Sequence, residues 1–256
     1  MAKLKEITAF LESLVPLEQQ DSWDNSGLQV GWSEQEVKRV GFALTVSNSV
    51  IAAAERESVD LIVTHHPLTI SGLKVFTSEL YPQNLLLNLV RKSISVYALH
   101  TNLDVSPFGP TAIISEFLGL LGVEPILPKP PYGAVGNLPL PSTQEALLSS
   151  LKGFLPDDVF RVIGYRPDRK VETVAVCSGS GASFIDMVAG RVDVYVTGDV
   201  KYHDAMKALD LGLTVFDMGH FGTERIFYRK LKKLLENAFP QVDFILLPEN
   251  SPFEVV

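Results

Sequence analysis

A chain of 256 residues, 46% hydrophobic and 20% charged, carries enough apolar side chains to bury a full core, which excludes intrinsic disorder. Its formal charge of −8 offers no basic face whose contact with phosphates would release counterions, so duplex nucleic acid is excluded as a general partner. The lone Cys177, set in the apolar run VETVAVC, rules out an internal disulfide framework and a cysteine-rich zinc site, and points to a reducing, cytoplasmic location.

Leu4, Ile7, Phe10, Leu11 and Leu14 recur at helical spacing and predict an amphipathic helix near 3–14 that ends before Pro16. Glu6 and Glu12 interrupt the apolar stretch that a signal peptide needs, and no later run approaches membrane-spanning length, so no membrane partner is expected. The turn-rich DSWDNSGLQVGW at 21–32 leads into a short strand. Strands then alternate with helices: a strand at 40–44, a helix near 48–57, a strand at 61–63, a helix near 82–92 and a strand at 95–99. That alternation predicts right-handed crossover units and a largely parallel sheet.

Further on, EPILPKPPYGAVGNLPLPS carries Pro125, Pro128, Pro130, Pro131, Pro139 and Pro141, which predict a link without regular structure. The second half repeats the first: VDLIVTHH at 59–66 aligns with VDVYVTGD at 192–199, each about a helix's length after a strand, VGFAL at 40 and VAVC at 174. A coincidence of β-rich composition is the alternative reading of this match. Each copy leads to another strand that runs into a histidine four residues before an acid, His100 with Asp104 and His220 with Glu224. The expected architecture is α/β, with two pseudo-equivalent halves built on largely parallel or mixed sheets. Residues 1–125 form the first half, 126–141 the Pro-rich link and 142–256 the second half.

The five histidines, His65, His66, His100, His203 and His220, fall where apolar strands give way to loops, the position at which open α/β sheets hold ligands and metals. Neighbours on a strand point to opposite faces, so His65 and His66 cannot both reach one ion from regular β structure. Pro67 stops the strand there, and the two rings are expected to diverge and serve two different ions. Two ions about 3.5–4 Å apart need a bridging carboxylate, for which Asp104 and Glu224 are the candidates. His220 and Glu224 share one helix face if the first turn is helical, and Gly219 and Gly222 permit convergence if it is not. The bland alternative is that these histidines are core groups bonded to backbone and that Glu224 merely favours a helix amino terminus.

His100 is open to three readings: a group orienting a ligand, a proton carrier, or a packed ring. His203, near Asp199 and Lys201, is either a general acid or the cap of a solvated turn. In CSGSGASF, the backbone N–H groups of Gly179, Ser180 and Gly181 offer a place for a substrate phosphate, with Asp199 nearby in sequence motif order, although a plain strand-to-helix turn explains the glycines as well.

Taken together, WDNSGLQVG, THHPL, VYALHTNLD, CSGSG, TGDVKYH and GHFGTE resemble the dinuclear-metal-centre family of GTP cyclohydrolase 1 type 2 homologues, kin of the Nif-three-like proteins. The resemblance runs from near Trp23 to near Glu224 and implies that His65, His66, Asp104, His220 and Glu224 hold two divalent metal ions. It also implies a Nif-three-like fold and a toroidal homohexamer. The chain is similar to the short form that lacks an inserted domain, and GAVG at 133–136 stands where the family often carries an Arg in a GRxG element.

The leading expectation is a metal-dependent hydrolase in which two divalent ions make a shared water acidic enough to attack near neutrality. Zinc, iron and manganese suit the ligand types equally. The resemblance implies a purine nucleotide such as GTP as the small-molecule substrate. The alternative is a metal-binding regulatory or scaffold protein that acts through protein partners.

Overall fold

Continuous apolar strands fix the first sheet. The computed structural model describes residues 1–155 and 158–254, and these divide into two compact units, Met1–Phe108 with Phe227–Asn250, and Gly109–Ile226 with the segment from Ser251. In the first unit the strands Asp243–Leu246, Arg39–Ala43, Leu61–Thr64, Ser95–Ala98 and Gly27–Val30 lie side by side in that order. The first four run parallel and Gly27–Val30 is antiparallel to Ser95–Ala98. Leu61–Thr64 and Ser95–Ala98 are buried at every position, as expected of parallel strands covered on both faces.

The helix Asn48–Arg56 starts at Ser47, whose hydroxyl accepts from Val50 N at 3.2 Å, and packs Val50, Ile51 and Ala54 with Leu85 and Leu89 of the helix Gln83–Lys92. The amino-terminal helix Leu4–Leu14 buries Leu4, Ile7 and Leu11, and its Glu12 accepts from the buried Tyr97 hydroxyl at 3.0 Å. The carboxyl-terminal helix Tyr228–Ala238, whose apolar spacing is plain in the sequence, belongs to this first unit. It returns because Asp243–Leu246 pairs with Arg39–Ala43, and Arg39 bonds Asp243 at 3.0 Å.

The main sheet of the second unit has six strands in the order Arg161–Ile163, Thr214–Asp217, Val194–Thr197, Lys170–Val176, Ala134–Thr143 and Leu121–Glu124. Its three inner strands from Thr214–Asp217 to Lys170–Val176 are parallel, and the flanking strands are antiparallel, so the sheet is mixed. The stretch 126–141, expected to be an irregular link, lies inside this unit and contributes most of Ala134–Thr143. That strand pairs regularly from Ala134 to Asn137, loses register, and resumes at Ser142. Pro139 and Pro141 fall in the irregular interval, where the N–H they lack is not required by the ladder.

The internal repeat has a physical basis. In each unit three parallel strands stand in the same order, and the aspartate of the VDxxVT motif ties the middle strand to the start of the preceding one. Asp60 Oδ2 accepts from Lys38 N and Arg39 N at 2.7 and 3.0 Å, and Asp193 Oδ2 accepts from Glu172 N and Thr173 N at 2.8 and 2.9 Å. Among the described residues no helix is long and apolar enough to cross a membrane.

Candidate metal centre

In the first unit the functional side chains come from the ends of two neighbouring strands. Leu61–Thr64 runs into His65 and His66, and the turn is held by Thr64 Oγ1 donating to His66 O at 2.8 Å and by His66 N donating to Leu44 O at 3.0 Å. Next to it, Ser95–Ala98 runs into His100 and the short helix Thr101–Asp104. Asp104 N donates to His100 O at 3.0 Å, and this single turn brings Asp104 Oδ1 to 3.5 Å from His65 Nε2.

Each imidazole is backed by an oxygen at Nδ1. His65, fully buried, has Nδ1 2.7 Å from Leu99 O; a carbonyl only accepts, so the proton sits on Nδ1 and Nε2 carries the lone pair. His66 Nδ1 lies 2.6 Å from Thr45 Oγ1, and His100 Nδ1 lies 2.8 Å from Asp24 Oδ1. Burial works against a charged Asp24, but the hydrogen bonds from His100 and Thr101, with the His100 ring alongside, outweigh it and hold the carboxyl far below the usual carboxylate range. Asp24 is thus an anion that accepts the Nδ1 proton of His100.

One donor atom from each of His65, His66 and His100 lies within 4.8 Å of the others. The rings of His65 and His66 stand 5.3 Å apart between centroids, and each stands within 5.6 Å of His100. The planes of His65 and His66 stand 40° apart, and both rings lie beside His100. Trp23 presents its ring edge-on to His100 at 6.0 Å.

In the second unit Thr214–Asp217 leads through Met218 and Gly219 into the helix His220–Glu224. The helical turn puts His220 Nε2 2.8 Å from Glu224 Oε2, while Asp199 Oδ2 stands 2.7 Å behind His220 Nδ1. Burial lowers the basicity of this ring, but hydrogen bonds and charge from Glu224, then from Asp199, prevail and push it up to about 10. The helix is steadied from elsewhere in the unit: Asp158 Oδ2 accepts from Gly222 N at 2.9 Å, and Asp158 Oδ1 accepts from Ser251 Oγ at 2.5 Å. A cavity of about 250 Å³ opens beside His220, lined by Asp158, Arg161, Asp199, Asp217 and Phe253 among others. Arg161 is anchored there by the buried Asp217.

The SGSG turn, the expected phosphate site at Gly179, Ser180 and Gly181, has two of its N–H groups bonded to threonine hydroxyls. Gly179 N donates to Thr223 Oγ1 at 2.9 Å and Gly181 N donates to Thr197 Oγ1 at 3.0 Å, so both glycine N–H groups are already engaged within the unit. Asp199, expected near substrate, stands behind His220. His203 is exposed on the helix Tyr202–Asp210, edge-on to Tyr202. Nothing local in the sequence signals Thr45, whereas Asp24, an acid in the turn-rich loop at 21–32, carries a visible signal.

The donor set fits a divalent transition ion: imidazole Nε2 atoms beside carboxylate oxygens are the ligands that zinc, iron and manganese share, and an oxygen behind each Nδ1 is the support that metal-binding histidines receive.

The chain's residues 2–252 match the family model Duf34/NIF3 (NGG1p interacting factor 3). A GTP cyclohydrolase 1 type 2 homolog of Campylobacter jejuni is 34% identical over 98% of this chain and 99% of its own length. GTP cyclohydrolase 1 type 2 of Helicobacter pylori is 32% identical over the full length of both. Among solved structures, reduced HcgD from Methanocaldococcus jannaschii superposes with a TM-score of 0.86 at 34% identity, covering 97% of this chain and 98% of that one. Staphylococcus aureus protein SA1388 gives 0.86 at 25% identity, covering 100% and 99%.

Proposed function

The chain belongs to the Duf34/NIF3 family, and we propose that within it the protein is a hydrolase that uses two divalent metal ions and acts on a purine nucleotide. His65, His66 and Asp104 of the first unit and His220 and Glu224 of the second are the proposed ligands. The observation that carries this reading is the common arrangement of four imidazoles, each with an oxygen behind Nδ1, with carboxylates of Asp104 and Glu224 at the Nε2 side of His65 and His220. Ions so held supply Lewis acidity, which makes water acidic enough to attack near neutral pH and polarises the group attacked.

The chain's own residues do the rest. His100 is the proton carrier: its Nε2 takes a proton from the attacking water and returns it to a ring nitrogen of the base as the imidazole ring of guanine opens. Asp24 stays ionised throughout, holds the Nδ1 proton of His100 and stabilises the imidazolium. Within the second unit the cavity beside His220, with Arg161 and Phe253 in its wall, opens at one of the proposed ligands. The name carried by the relatives supplies GTP as the first substrate to try. A toroidal homohexamer and a cytoplasmic location, implied by the resemblance and by the lone Cys177, complete the proposal.

The test is metal analysis followed by turnover. Protein reconstituted with zinc, manganese or iron(II) should take up two ions per chain and open the guanine ring of GTP, and Glu224→Gln should lose both an ion and the activity. Fully loaded protein that turns over no purine nucleotide, or turnover undiminished in Glu224→Gln, would remove the hydrolase reading.

A further inference from the structure

The oxygen behind His66 differs in kind from those behind the other rings of its unit. Leu99 O belongs to the backbone, and Asp24 is a shielded anion with several donors of its own. Thr45, by contrast, is an exposed residue on the loop that follows Arg39–Ala43. A hydroxyl in such a place fixes a ring only if the loop itself is fixed.

What fixes it is the segment after the last strand. Leu247 N donates to Phe42 O at 2.9 Å, extending the pairing of Asp243–Leu246 with Arg39–Ala43 past the strand end. Two residues later, Glu249 places one carboxylate oxygen on Leu44 N at 2.6 Å and the other on Thr45 N at 3.0 Å. Hydrogen bonds to an ionised acceptor are about twice as strong as neutral ones, and two from one carboxylate fix orientation as well as distance. On its other side Leu44 O accepts from His66 N at 3.0 Å, and Thr45 Oγ1 meets His66 Nδ1 at 2.6 Å. Residues 44 and 45 are therefore gripped between Glu249 and His66, on backbone and side chain alike.

We infer that Glu249 is a positioning residue of the metal centre: it holds Thr45 so that the hydroxyl accepts the Nδ1 proton of His66 and the Nε2 lone pair is the one presented to an ion. The inference rests on the metal-binding reading of His66 above. It makes Glu249, in the segment Pro248–Asn250 after the last strand, part of the site although it is far from His65 and His66 in sequence, on the order of a whole domain's length.

The experiment uses the full chain, with Zn²⁺ affinity read by chelator competition and geometry read from the visible bands of the Co²⁺-loaded protein. Glu249→Ala and Thr45→Val should each weaken one zinc site about 10–100-fold, the usual cost of losing a residue that orients a ligand, and shift the cobalt bands. Thr45→Ser should restore both readouts, because it restores the hydroxyl at an exposed position where folding is not at issue. The double variant should bind no more weakly than the worse single one, since both changes cut one chain of contacts. Unchanged zinc affinity in Glu249→Ala and Thr45→Val, alongside loss of a site in His66→Ala, would overturn the inference and leave the metal reading standing. A parent chain that takes up no zinc would overturn both.

Discussion

Gly179 sits against Glu224 so closely that a Cβ at position 179 would lie 1.9 Å from Glu224 Oε1. Its φ of +63° also lies in the left-handed region, where a side chain is strained. The carboxylate of Glu224 thus occupies the volume that any other residue at 179 would fill. Gly179→Ala should therefore displace Glu224 and cost stability by about 2–5 kcal/mol, adding roughly 1–3 for overpacking to roughly 1–2 for the backbone. Thermal unfolding measures the loss, and metal analysis should show an ion missing as well. A variant with parental melting temperature and full metal content would refute the packing argument.

The helix His220–Glu224 starts at Gly219, which has no side chain to cap it, and Asp158 serves from another part of the unit by accepting from Gly222 N. Asp158→Ala should cost about 0.5–2 kcal/mol, the range for loss of a helix-capping oxygen. Because the same turn orients His220 and Glu224, metal affinity should fall more than stability does. Chelator competition and thermal melts on one preparation separate the two effects, and a variant that melts lower but binds zinc like the parent would limit Asp158 to a structural role.

Much of the first unit was legible from local pattern. The strands around VDLIVT and SISVYA follow from apolar runs bounded by turn residues, and His65, His66 and His100 follow from standing at their exits. The repeated VD in the second unit was legible too, because Asp60 and Asp193 perform the same bonding to the preceding strand. What stayed hidden is carried by nonlocal contacts. Nothing near Thr45 in sequence marks it as the partner of His66, nothing near Glu249 marks it as the partner of Leu44 and Thr45, and no local period tells that Asp243–Leu246 will pair with Arg39–Ala43. The prolines of 126–141 suggested a link because propensity sees the missing N–H; a ladder with a register shift has no need of it there.

Asp24 and His100 form a pair whose charge state can be tested by pH. The Asp24 carboxyl is held well below its ordinary 3.8, burial opposing and the bonds from His100 and Thr101 prevailing. A depressed folded pKa contributes stability that is present above the unfolded value and is lost as pH falls through the folded one. Asp24→Asn should accordingly be less stable than the parent at pH 6, with the gap closing on acidification below about pH 4. At neutral pH its turnover should drop by about 10²–10⁴-fold, the range for disabling acid-base catalysis, since a neutral amide no longer stabilises charged His100. Equal acid-unfolding profiles for the two proteins would show that Asp24 is not the anion described.

His220 gives the opposite sign. Glu224 and Asp199 hold its ring protonated up to about 10, against an ordinary value of 6.5, despite burial. A raised folded pKa contributes stability that is fully present below the unfolded value and is lost as pH rises through the folded one. Metal-free protein should therefore lose stability progressively between pH 6.5 and about 10, and His220→Asn should lack that slope. An ion bound at Nε2 must displace the same proton, because only the neutral ring has a lone pair to give. At pH 8, uptake of zinc should release a proton that calorimetry in buffers of different ionisation enthalpy can count, and His220→Asn should release about one fewer per chain. Identical proton release from parent and variant would mean that the ion does not meet His220 at all, and the ligand assignment in the second unit would have to be withdrawn.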